Sequence, residues 1–379
     1  MPPSPTASLT KPVASPGDRP GTKPAALGYR MPAEWEPHEA TWIAWPHNRS
    51  DWPGKFSAIP WVYAEIVRHL VKVERVEVLV NDAEARDQAR AILCQAGVPS
   101  DGTRFHLWPT NRSWTRDYGP IFVTSSGAGV PPVAATCWQF NAWAKYKDWQ
   151  NDASIAPKIA RRLGVPEYRS GMEIKGKPKR VVLEGGSIDV NGRGTLLTTE
   201  ECLLGREQQR NPAVAREILE QVFADYLGIK KVLWLGGGIS GDDTHGHVDD
   251  IARFVTPNTA VAAVEYDPTD VNYLPLQDNL RRLRKMKDQD GRQLRVVELP
   301  MPAPVTFRGQ RLPASYANFY IANRLVLAPT FNDANDRRAL NILAELFPDR
   351  QVLGIYCGDL VWGLGTLHCM TQQQPRSSG

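Results

Sequence analysis

The chain has 379 residues, of which 42% are hydrophobic and 23% charged, and a formal net charge of +4. These are the proportions of a globular protein with a large core. Residues 1–30 hold four cations against one acid, so the remaining body is close to neutral and offers no basic field for nucleic acid.

Residues 1–30 are rich in Pro, Ser, Thr and Ala and have almost nothing to bury, which predicts a disordered extension. They lack the apolar stretch of a signal peptide. One packed domain is expected over residues 31–376. The five cysteines, Cys94, Cys137, Cys202, Cys357 and Cys369, are odd in number and form no C-x-x-C pair. They read as reduced thiols of a cytoplasmic protein and not as a disulfide framework. No apolar run reaches the 18 residues of a membrane span.

Within the body one unit recurs. Apolar runs around polar turns predict β-hairpins at 121–138, 187–203, 251–266 and 318–331, turning at a Gly/Pro loop, at Gly192 and Gly194, at Pro257-Asn258 and at Asn323-Arg324. Helix-period segments follow. Residues 211–228 carry Val214, Ile218 and Val222 on one stripe, with Leu219, Phe223 and Tyr226 beside it, and place Asn211 to cap and Pro212 in the first turn. Residues 335–348 repeat the pattern, and shorter counterparts lie at 60–73, 155–165 and 276–288. Short apolar strands at 76–80, 232–236, 294–299 and 351–356 come next. The unit is β-β-α-β.

Polar clusters stand at the start of these units and keep step with them. Asp117 to Glu184 is 67 residues, Glu184 to His247 is 63, and His247 to Cys369 is 122, or two steps of 61. A period of roughly 60–70 residues gives about five units set around a central axis, with the clusters facing one centre. The alternative is a two-domain α/β protein whose hairpins recur by chance.

The clusters are W-T-R-D-Y-G-P (114–120), E-G-G-S-I-D (184–189), D-D-T-H-G-H-V-D-D (242–250) and G-L-G-T-L-H-C-M-T-Q-Q-Q (363–374). Each alone has a bland reading: a buried structural thiol, a solvated loop carboxylate, an Arg116–Asp117 ion pair, a core Trp114 or a loop-capping histidine pair. Their common phase argues against coincidence. A metal site from His245, His247 and Asp249 would resemble the H-x-H-x-D-H of metallo-hydrolases, but Asp250 stands where its last His belongs, and only His368 follows. His368 is a poor base for Cys369, because adjacent side chains of an extended segment point to opposite faces. The base is expected from H-G-H-V-D, in which His245, His247 and Asp249 share a face if extended. One Cys, one His and several carboxylates without metal suit a cationic substrate. A guanidinium is planar, always charged and gripped bidentately by carboxylates.

Those stretches, together with 31–48 and 315–333, resemble the agmatine deiminases and the wider bacterial peptidyl-arginine-deiminase-like group of the guanidine-modifying (pentein) superfamily, in family order from residue 31 to 375. The resemblance implies an α/β fold, a five-bladed propeller of ββαβ units with pseudo-fivefold symmetry. It implies Cys369 as nucleophile, His247 as general acid/base, Asp249 and Glu184 as guanidinium ligands, and Asp117 and Trp114 in the substrate pocket. It implies no metal and no other cofactor, a small cationic guanidino substrate with agmatine favoured, and a homo-oligomer. The alternatives are a peptidyl-arginine or other guanidine as substrate, a metal-dependent hydrolase using His245, His247 and Asp249, and a guanidine-binding pentein without turnover. One departure stands out: residues 363–365 read Gly-Leu-Gly, where the family commonly has three glycines.

Overall fold

Four stretches of the chain fold the same way. The strands Ile121–Thr124, Asp189–Val190, Ala252–Thr256 and Tyr320–Ala322 each pair antiparallel with the next strand, respectively Val133–Cys137, Thr195–Thr199, Thr259–Val264 and Leu325–Thr330. That second strand then pairs in parallel with a third, namely Glu167–Arg169, Lys231–Leu235, Arg295–Pro300 or Gln351–Tyr356. Parallel neighbours need a crossover, and a helix supplies it each time: Ile155–Leu163, Arg216–Leu227, Tyr273–Leu283 and Asp336–Leu346. The middle strand Thr259–Val264 is buried at every position, as a strand covered on both faces must be.

The fifth sheet is assembled from both ends of the chain. Gln372–Pro375 pairs antiparallel with His38–Ala44, and His38–Ala44 pairs in parallel with Arg75–Val80 across the helix Ile59–Leu70. The order is therefore the same as in the other four. This sheet is extended by Thr103–Leu107, after a helix Ala83–Gln95 whose first turn is capped by Asp82 accepting from the Ala85 N–H. The molecule is a mixed α/β protein. The computed structural model describes residues 22–174 and 176–377. Among the described residues no helix is long and apolar enough to cross a membrane.

Two expectations need correction. The extension expected over 1–30 falls largely outside the described residues, but its last part is packed. Pro24 and Tyr29 are buried, Lys23 donates to the Tyr226 hydroxyl, and Arg30 bridges to Thr124. The packed body therefore reaches back to Lys23. Nor do Asn211 and Pro212 open a helix, which begins only at Arg216. Asn211 is used instead to clamp Val182: its Oδ1 accepts from the Val182 N–H and its Nδ2 donates to the Val182 carbonyl. The buried stripe of this helix accordingly runs through Leu219, Val222, Phe223 and Tyr226. The hairpin Gly171–Ile174 with Lys177–Arg180 was not expected either.

Candidate active site

The five first strands are each preceded by a short, buried loop, and the chemistry-bearing residues lie on those loops. Trp114 and Asp117 precede Ile121–Thr124, Glu184 precedes Asp189–Val190, and His247 and Asp249 precede Ala252–Thr256. Asn318 precedes Tyr320–Ala322, and Cys369 precedes Gln372–Pro375. All seven side chains are buried.

Gly186 sits at the centre of three of these groups. A Cβ there would meet His247 Nδ1 at 2.6 Å, Asp117 Oδ1 at 2.9 Å and Asp249 Oδ2 at 3.1 Å, so only glycine lets the second loop pass between them. Its N–H donates to Asp117 Oδ1 over 3.1 Å. His247 lies between two carboxylates, with Nδ1 at 3.8 Å from Asp117 Oδ1 and Nε2 at 3.5 Å from Glu184 Oε2. The other Glu184 oxygen accepts from Arg210 Nε at 3.2 Å. The other Asp117 oxygen accepts from the Trp143 indole at 2.9 Å. Among the described residues His247 Nδ1 and Nε2, Glu184 Oε2 and Asp249 Oδ1 are buried without a hydrogen-bond partner. Leaving one such atom unmatched costs about 1–3 kcal/mol, and a cluster of four is a mark of a ligand site.

Cys369 Sγ is 3.7 Å from Asp249 Oδ2 and receives a hydrogen bond from Asn318 Nδ2 at 3.1 Å. The same Asn318 Nδ2 donates to Asp250 Oδ1 at 3.0 Å, while Asn318 Oδ1 accepts from the His368 N–H and the Thr366 hydroxyl. One side chain thus shapes the turn that presents the thiol. The His368 ring turns elsewhere: Nδ1 is 2.7 Å from Asp249 Oδ2, and Nε2 is 2.7 Å from Glu34 Oε2. Arg116 does not pair with Asp117. Its guanidinium donates to Gln373 and Glu34.

The electrostatics follow from this crowding. Burial, then the carboxylates of Asp249, Asp250 and Asp117, push the Cys369 thiol well up, so the free protein holds it protonated. Burial is the largest single effect and works against a charged His247, but the Asp117 carboxylate, Cys202 and Glu184 together outweigh it, and the imidazole is raised well above its ordinary range. Burial pushes Asp117 up to about 6, against the pull of His247. Burial also opposes ionisation of Glu184 and Asp249, yet Arg210 and His368 respectively hold them below the ordinary carboxylate range. A net arrangement of ionised carboxylates, an imidazolium and a thiol awaits a cation.

A cavity of about 230 Å³ reaches the edge of this cluster, where Trp114, Asp117 and Cys369 line it. Trp114 packs against Gly365, where a Cβ would meet its ring at 2.9 Å. Between Gly363 and Gly365, Leu364 adopts φ +69°, a left-handed conformation that disfavours a branched side chain. His245 does not join the group. It faces Glu201 and Glu207 at 3.8 and 3.6 Å. Among the described residues the His, Cys and carboxylate atoms close enough to share an ion are those of Glu184, Cys202 and His247, within 4.8 Å of one another. The set His245, His247 and Asp249 is not assembled.

Comparison with known proteins points the same way. A family model described as Porphyromonas-type peptidyl-arginine deiminase matches residues 30–375. The chain is 36% identical to the agmatine deiminase of Ectopseudomonas mendocina (strain ymp), covering 94% of this chain and 98% of that one. It is 35% identical to the agmatine deiminase of Pseudomonas aeruginosa (strain LESB58) over the same shares. Among solved structures it is similar to the agmatine deiminase of Enterococcus faecalis, with a TM-score of 0.85, 34% identity, and coverage of 94% of this chain and 98% of that one. With motifs, repeat order and near full-length similarity in agreement, this chain belongs to the Porphyromonas-type peptidyl-arginine deiminase family.

Proposed function

We propose that the chain hydrolyses the guanidinium of agmatine to N-carbamoylputrescine and ammonia, a C–N bond hydrolysis that uses no metal or other cofactor. The observation that carries this reading is the convergence of the Cys369 thiol, the His247 imidazole and the unpartnered oxygens of Glu184 and Asp249 beside one cavity. The agmatine deiminases to which the chain is similar over 94% of its length support the choice of substrate. The five sheets of like order support a five-bladed propeller with the site on its axis. A cytoplasmic, oligomeric enzyme is part of the same proposal.

The steps follow from the charges. Glu184 and Asp249 hold the guanidinium and fix its carbon opposite Cys369. The arriving cation offsets the surrounding carboxylates, and the thiol releases its proton to solvent. The thiolate attacks the guanidinium carbon and forms a tetrahedral adduct. His247, protonated in the free protein, gives its proton to the leaving nitrogen, and ammonia departs to leave an S-alkylthiouronium on Cys369. Neutral His247 then takes a proton from water, whose oxygen attacks the same carbon. Collapse releases the ureido product, the adduct's hydroxyl proton passes to the departing sulfur, and the Cys369 thiol is restored.

The test is ammonia release from agmatine, free arginine and a blocked arginyl peptide, measured side by side with no metal added. Agmatine alone should react. Preference for the peptide would keep the mechanism and replace the substrate, while silence on all three would remove the assignment.

A further inference from the structure

Cys369, Asp117 and Trp114 line one part of the cavity. Asp51, Arg112, Tyr146, Asp243 and Trp362 line the rest. Arg112 is the only cation among the lining residues, and it is already engaged: its two terminal nitrogens donate to Asp148 at 2.9 and 3.2 Å, and its guanidinium lies over the Tyr146 ring at 4.2 Å. Asp243 is engaged as well, accepting from the Tyr146 hydroxyl at 2.6 Å and from Lys145. Asp51 is different. Its side chain is 9% exposed, Arg112 Nε comes no closer than 3.9 Å to Oδ1, and Oδ2 has no hydrogen-bond partner among the described residues. Burial, with Asp148 adding and Arg112 pulling the other way, pushes its carboxyl up to about 7. A buried carboxylate without its own cation is costly unless one arrives.

We propose that Asp51 receives the primary ammonium at the far end of an amine-terminated alkylguanidine. The inference rests on the reading that Cys369 attacks the guanidinium, and it names the residue that chooses among guanidines. A dication bound this way is held at both ends by carboxylates, and its methylenes lie between the aromatic faces of Trp114, Trp362 and Tyr146. An α-amino acid guanidine would instead bring a carboxylate to a wall with no free cation, against Asp51 itself.

The test compares wild-type protein and Asp51→Asn on agmatine and on n-butylguanidine, which has the same chain without the amine. A charge-assisted hydrogen bond lost at one end predicts a rise in KM for agmatine of about 10- to 100-fold with kcat little changed, and no change for n-butylguanidine. Wild-type protein should prefer agmatine by a similar factor in kcat/KM, a readout that stands even if the variant does not fold. Equal use of the two guanidines by wild-type protein, or equal changes for both in a folded variant, overturns the Asp51 assignment and leaves the Cys369 chemistry standing. Wild-type protein inert to both guanidines overturns the chemistry, and the Asp51 assignment with it.

Discussion

His368 offers the sharpest test of how the site is held. Its two ring nitrogens each lie 2.7 Å from a carboxylate oxygen, of Asp249 on one side and Glu34 on the other. A neutral imidazole has one N–H, so both bonds form only with the imidazolium. Glu34 is backed in turn by Arg253 at 3.0 Å and Arg116 at 3.4 Å. Charge thus alternates from the arginines through Glu34 and His368 to Asp249, leaving Asp249 Oδ1 as the oxygen without a partner. In this arrangement His368 is a positioning residue. It fixes the rotation of Asp249 and keeps it ionised despite burial beside Asp250.

In the variant His368→Gln, the glutamine amide can serve one carboxylate at most, without charge. Loss of one charge-assisted hydrogen bond is about 1.5–3 kcal/mol. At about 1.4 kcal/mol per factor of ten, kcat/KM for the guanidine should fall roughly 10- to 150-fold. The pH profile carries the diagnostic. Asp249 has a depressed carboxyl in the folded protein, so its contribution to stability is present above the ordinary carboxylate range and lost as pH falls through the folded value. Without His368 that value rises, and the acid limb of kcat/KM moves to higher pH. Ammonia release across roughly pH 5–9, with a melting curve at each pH, measures both. A folded variant within about twofold of wild type, with an unmoved acid limb, would refute the relay. A lower melting temperature alone would make His368 merely structural.

Four further outcomes are expected. Cys369→Ala should abolish turnover while melting like wild type, and full activity in that variant would remove the nucleophile. EDTA should leave activity unchanged, whereas loss with EDTA and return with zinc would revive a metal-dependent reading. Arg253 is fully buried between Asp189 at 2.5 Å and Glu34, so Arg253→Met strands the Asp189 carboxylate and takes one of three cations from Glu34, and should cost about 3–5 kcal/mol in urea unfolding; a cost under about 1 kcal/mol would contradict the network. Asp152 is buried, accepts from the Asn111 N–H at 2.7 Å, and burial pushes its carboxyl up to about 8. A raised carboxyl stabilises fully below its unfolded value, and that contribution is lost as pH rises through about 8. Asp152→Asn should therefore gain on wild type as pH rises over that range, and a constant difference in ΔG of unfolding would contradict it.

The repeat was legible because each unit needs local signals that sequence carries: a turn, a helical stripe and a strand of apolar residues. The clusters at 117, 184, 247 and 369 were visible because carboxylates, His and Cys are conspicuous in apolar surroundings. The gap of 122 residues between His247 and Cys369 left one step of the period unassigned. Asn318 stands in that gap, on the loop before Tyr320–Ala322, and holds the thiol, Asp250 and the backbone of His368. The period could have pointed to it, but an uncharged amide between Ala317 and Phe319 reads as part of a strand. Glu34 was beyond reach for a different reason. Its partner His368 is 334 residues away, and the contact exists only because the last strand pairs with the first. In the sequence Asp51 is an acid among tryptophans, but Arg49 two residues before it blurs the sign. Only the placement of Arg112 against Asp148 shows which charge the cavity has left over. Local chemistry therefore announces the groups that react, while the groups that aim them are chosen by closure of the chain on itself.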